Sequence, residues 1–140
     1  MIGILVIAHG ALGDELVNSV AMIMGRVSLL RAVGLKSDQG LDELREEIKK
    51  AWQNLEGGGA DRLLVLVDMF GGSCSNVAAR LVSERDPKSA AVITGVNLPM
   101  VLEAAIDREL YTLDELVAKI VDAGKKSIVD VRAVMAEKLR

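Results

Sequence analysis

The chain has 140 residues, a formal net charge of −3 at pH 7, and 51% hydrophobic residues with only one Phe, one Trp and one Tyr. That length suits one domain over residues 1–140 with a core that needs neither disulfides nor a structural metal. Its Lys and Arg residues are scattered rather than gathered into a tract that neutralises successive phosphates, so nucleic acid is excluded as an expected partner.

The opening MIGILVIAHG is apolar and without a basic leader or a small-residue cleavage site. It is also far short of the roughly 20 residues of a membrane span. The β-branched run from Ile2 to Ala8 therefore reads as a first buried strand. His9 and Gly10 follow, and then Asp14, Leu16, Val17, Val20, Ile23 and Met24 fall at helical spacing up to Gly25. A second strand is expected over Ser28 to Val33. After Gly40, the residues Leu41, Leu44, Ile48, Ala51, Trp52 and Leu55 make an apolar helical stripe, with Glu46 and Lys50 paired outside and Gly57 to Gly59 closing the helix.

Arg62 to Val67 is a third strand that ends at Asp68. It leads through Gly71 and Gly72 into a helix that Ser73 can cap and Pro87 ends. A fourth strand, Ala90 to Thr94, passes through Gly95 and Asn97 into a helix with Pro99 in its first turn. Thr112 and Glu115 form a capping box for a helix reaching Gly124. Beyond it, Ser127 to Val134 fits a strand or a helix by periodicity. Four alternations of strand and helix predict an α/β fold: an open, mainly parallel sheet with helices on both faces. The methionines at 22, 24, 100 and 135 fall at expected core positions.

In such a sheet, ligands bind at the carboxyl ends of the strands. His9, Asp68, the Gly71-Gly72-Ser73 turn and Asn97 all follow strand ends and so converge on one edge. As the only histidine, His9 rules out a multi-histidine metal site, and one cysteine is too few for structural zinc, so no metal or other cofactor is expected. Cys74, unable to pair within the chain, points with the missing leader to a reducing cytoplasm. An imidazole is a good nucleophile near neutral pH, and a carboxylate on one ring nitrogen fixes the tautomer that frees the other. Backbone amides of Gly71, Gly72 and Ser73 at a helix start suit the oxygens of a phosphoryl group, with Asn76 supporting the loop.

Each residue also has an ordinary structural role open to it. His9 can be a loop residue bonded to backbone, Asp68 a turn cap, Asn97 a helix cap and Cys74 a small packing residue. A Ser-His-Asp hydrolase is a formal rival, but no Gly-x-Ser-x-Gly elbow is present.

The segments Ala8-His9-Gly10, Val67 to Asn76 and Gly95-Val96-Asn97-Leu98-Pro99-Met100 are similar, in order and spacing, to the three signature segments of mannose-family enzyme IIA domains of the sugar phosphotransferase system. The resemblance implies that His9 accepts a phosphoryl group from the histidine-containing phosphocarrier protein and donates it to an enzyme IIB. Asp68 would orient His9, and Ser73 with the neighbouring amides would receive the phosphate. The membrane would be met only indirectly, through the permease. Relatives are homodimers that exchange an antiparallel C-terminal strand, which favours a strand over Ser127 to Val134. The sequence departs from the pattern at Cys74-Ser75, where relatives often carry Pro-Phe, and at Met69-Phe70, where some have Thr-Trp. Two other roles stand beside this one: a phosphorylation-state sensor in a regulatory system, which needs the same site, and the phosphoryl donor subunit of a dihydroxyacetone kinase, which by resemblance shares the fold but usually lacks a segment like Gly71 to Asn76.

Overall fold

A computed structural model describes residues 1–139. Four strands form one sheet: β1 (Ile2–His9), β2 (Leu30–Leu35), β3 (Arg62–Val67) and β4 (Ala90–Thr94). Their order is β2-β1-β3-β4, and every neighbouring pair is parallel. Six helices accompany them: α1 (Leu12–Met24), α2 (Leu41–Gly57), α3 (Ser73–Ser83), α4 (Leu98–Asp107), α5 (Leu113–Lys126) and α6 (Val131–Lys138).

The alternation of side chains along each strand sorts the core into two halves. Leu5, Ile7, Val65 and Val67 face one way, against Leu44, Ile48 and Trp52 of α2 and Val77 and Leu81 of α3. Ile4, Val6, Leu64 and Leu66 face the other way, against Val20 of α1, Val101 and Ala104 of α4, and Leu116 and Ile120 of α5. Because β1 and β3 are covered on both faces, they read as unbroken apolar runs. Burying one such Leu, Ile or Val contributes about 1.5–3 kcal/mol, so the two central strands are the most firmly held part of the chain.

Several boundaries depart from expectation. Strand β2 lies two residues later than the expected start at Ser28, because Leu29 takes a left-handed conformation (φ 53°) and cannot extend the strand backwards. On α2, Glu46 pairs with Lys49 at 3.7 Å rather than with Lys50. The capping box of α5 is present in both directions between Thr112 and Glu115. Of the four methionines expected in the core only Met100 is buried; Met22, Met24 and Met135 lie on the surface.

The tail is the largest departure. Within the single chain, Ser127 to Val134 is not a strand: Ser127 ends α5, and Val131 opens α6, whose first turn is capped by Asp130 accepting from the Arg132 amide at 3.0 Å. A lone strand has no partner for its amides, whereas a short helix satisfies most of its own. No residue of α6 is buried, so its conformation is set locally rather than by packing.

Candidate functional site

The chain switches direction across the sheet at β1. Strand β2 lies on one side of it and β3 on the other, with α1 and α2 on opposite faces. The crevice of an open α/β sheet forms at such a point, beyond the strand ends. His9 ends β1, and Asp68 follows β3 directly.

Asp68 Oδ2 accepts from the His9 amide at 2.8 Å and lies 2.7 Å from His9 Nδ1, while Oδ1 accepts from the Met69 amide at 2.9 Å. The carboxylate is therefore held at both oxygens, and Nδ1 is the ring nitrogen it engages. Burial pushes the Asp68 carboxyl up, but the hydrogen bonds from the His9 amide and ring, with the Met69 amide, outweigh it and hold the group below its ordinary value of 3.8. The Asp68 side chain is only 12% exposed, against 49% for His9. The ring is thus anchored at its inner nitrogen and presents Nε2 outwards.

Helix α3 begins next to this ring. A Cβ built on Gly72 would stand 3.7 Å from His9 Cε1, so the glycine lies against the imidazole. Gly72, not Ser73, is the N-cap residue, and among the described residues no side chain caps the helix. Ser73 falls inside the first turn, past the position from which a hydroxyl reaches back to cap. Gly71 has φ +84°, a left-handed conformation that suits glycine.

The hydroxyl that shapes this loop belongs to Ser75. Its Oγ accepts from the Gly71 amide at 3.0 Å and donates to the Gly72 carbonyl at 3.0 Å. Gly71 is thus committed within the loop, whereas the first turn of α3, with its uncapped amides and positive dipole end, begins at Gly72 beside the ring. Ser75 is a residue that sequence reasoning missed. The signal was a second serine in the same turn, four residues after a glycine that needs its amide satisfied.

The remaining expected residues sit around this centre. Gly10, with φ +60°, donates its amide to the Leu35 carbonyl at 2.8 Å and so ties the loop after His9 to β2. Its carbonyl packs so closely on Gly34 that a Cβ there would collide with it, which makes Gly34 a second unforeseen contributor. A glycine inside a strand often marks such a close backbone approach. Asn76 donates its amide to the Gly72 carbonyl at 3.1 Å and lines, with Ser73, Leu41, Asp42, Arg45 and Arg80, a groove of about 660 Å³ beside the site. Asn97 is not brought to His9: its Oδ1 caps α4 by accepting from the Met100 amide at 3.1 Å, and its Nδ2 donates to the Gly124 carbonyl at 3.4 Å.

Cys74 is fully buried under the loop, and burial with the nearby Asp68 charge pushes its thiol up to about 11. It is a poor nucleophile in that state. Among the described residues neither Ser73 nor Cys74 hydrogen-bonds to His9, so no serine or cysteine triad is assembled. On the loop after Asp68, Phe70 is 86% exposed with its neighbour Met69, and Leu12, at the start of α1 after the His9 loop, is exposed as well.

A parallel sheet of this order, with a histidine and an aspartate joined across its switch point and a glycine-rich helix start beside them, defines an open α/β domain with its candidate site at the strand ends. The chain belongs to the mannose-type enzyme IIA family of the phosphotransferase system: the family described as PTS system fructose IIA component (EIIA-man) matches residues 3–121. It is similar to the fructose-specific EIIA component of Bacillus subtilis strain 168, with 32% identity over 91% of this chain and 84% of that protein. The mannose-specific EIIAB component of Escherichia coli K12 is 29% identical over 98% of this chain, which spans only 42% of that longer protein. Among solved structures, the phosphotransferase system component EIIA from Streptococcus agalactiae superposes with a TM-score of 0.86 at 28% identity, covering 95% of this chain and 99% of that one. Among the described residues no helix is long and apolar enough to cross a membrane.

Proposed function

We propose that the chain is a cytoplasmic phosphoryl carrier, in which His9 accepts phosphate from the histidine-containing phosphocarrier protein and passes it to an enzyme IIB partner. The observation that carries this reading is the 2.7 Å contact between Asp68 Oδ2 and His9 Nδ1, which leaves Nε2 as the exposed nitrogen beside Gly72 and the start of α3. In the transfer, the Nε2 lone pair attacks phosphorus in line as the bond to the donor histidine breaks. Asp68 stabilises the positive charge that develops on the ring. Amides at Gly72 and Ser73 stabilise the phosphoryl oxygens, with Gly71 supplying the turn, Ser73 a further hydroxyl, and Gly10 and Asn76 backbone support. The return step is the same event in reverse, and the phosphoramidate remains reactive enough to be discharged. Exposed Phe70, Met69 and Leu12 give the docking proteins an apolar rim.

The test is incubation with phosphoenolpyruvate, enzyme I and the phosphocarrier. The expected product is an acid-labile, alkali-stable phosphate on His9 that is absent from a His9→Ala variant. Undiminished labelling of that variant would defeat the reading. Discharge of the labelled chain to a IIB protein separates a transport carrier from a phosphorylation-state sensor, which would keep its phosphate.

A further inference from the structure

The carrier chemistry uses His9 and Asp68 and leaves Cys74 without a role, although one ligand atom from each of these three residues lies within 4.8 Å of the other two. They combine one imidazole, one carboxylate and one thiol, drawn from β1, the end of β3 and the first turn of α3. This is not a cluster of acidic surface groups: it holds a single carboxylate, and the thiol is wholly buried. The ligands of tetrahedral zinc stand roughly 3.3–3.8 Å apart, given metal–ligand bonds of about 2.0–2.3 Å. Reaching that spacing takes side-chain movement of roughly 1 Å: the thiol draws nearer the other two ligands, while the 2.7 Å contact between His9 Nδ1 and Asp68 Oδ2 opens.

We propose that His9, Asp68 and Cys74 form an inhibitory site for a thiophilic divalent cation of the zinc class, with solvent at the fourth position. The thiol suits Zn²⁺ or Co²⁺ over Mg²⁺ or Ca²⁺, which prefer oxygen ligands. On binding, the thiol proton passes to solvent, so the cation meets one thiolate, one carboxylate and a neutral imidazole. The charges sum to zero, which suits a largely buried position. Coordination takes the imidazole out of reaction and draws Asp68 from its place on the ring. Metal binding stands by itself, whereas its inhibitory effect rests on the carrier reading. Cys74 is also where the chain departs from the family pattern, so the carrier chemistry does not require a thiol there.

The experiment uses the full chain with Co²⁺ or Zn²⁺ alone. One equivalent of Co²⁺ is expected to give the intense visible bands of tetrahedral cobalt and a thiolate charge-transfer band, both displaced by zinc. Cys74→Ala, and Cys74→Ser should the alanine variant fold poorly by circular dichroism, should lose the charge-transfer band and bind roughly tenfold or more weakly. Zinc should slow phosphorylation of the native chain and not of these variants, which should be phosphorylated normally in the presence of a chelator. A weak octahedral spectrum without charge transfer, or equal affinity in the Cys74 variants, overturns the proposal. If the chelated native chain takes up no phosphate yet gives the thiolate band, the carrier reading fails and the metal site stands. If it is phosphorylated and shows no band, the reverse holds.

Discussion

Asp68 is held by three hydrogen bonds, two of them from His9, and this decides what each replacement of it does. Asp68→Asn keeps the size and much of the contact with the His9 ring. It removes the charge and offers Nδ1 a donor, which favours the wrong tautomer. Transfer to His9 should slow by about 10–100-fold, measured as the initial rate of phosphohistidine formation. The same residue links stability to pH. Its carboxyl sits below the ordinary 3.8 in the folded chain, so its contribution is complete above that value and is lost as pH falls through the lower folded value. The difference in melting temperature between native chain and Asp68→Asn should therefore be largest near neutrality and shrink in acid below 3.8. At this scale the sequence was readable where one residue type has few uses: a sole histidine and an aspartate, each at a strand end. It was silent on distance, so the helix cap expected at Ser73 falls at Gly72, and the loop hydrogen bonds made by Ser75 went unseen.

Among elements, the loop from Gly71 into α3 behaves as a unit closed by the Ser75 hydroxyl. Ser75→Ala leaves the Gly71 amide without its partner, and stranding a part-buried donor costs about 1–3 kcal/mol. The expected result is a lower denaturation midpoint together with slower phosphorylation, because Gly72 and Ser73 lose their register with His9. Thr112→Ala supplies the control. It removes the α5 capping box at a cost of about 1 kcal/mol, yet should leave the phosphorylation rate unchanged, since that cap stands apart from His9. Elements were legible where composition changes abruptly: β3 begins at Arg62 and ends before Asp68, as expected. Strand β2 slipped because a turn residue, Leu29, takes a backbone conformation that its side chain does not advertise.

On the scale of the whole molecule, the sheet leaves β4 as an open edge. The tail carries Ile128, Val129, Val131, Val134 and Met135 on its surface. Unpaired strand edges and exposed apolar side chains invite a second copy, which accords with the homodimer expected from resemblance. Sedimentation should find a dimer for the full chain and a monomer once residues 128–140 are removed; an unchanged dimer would place the contact elsewhere. The tail was the least legible region because no residue of α6 is buried, so no packed face imposes a helical or a strand period on its apolar residues. The anchored imidazole has a consequence of another kind. With its inner nitrogen tied to Asp68 and its strand locked between two neighbours, the ring cannot swing from one visitor to the next. On the carrier reading, upstream and downstream proteins must take turns over a single doorway. Traffic would then be strictly alternating, and a surplus of either spent visitor would throttle the flow by standing in the other's way.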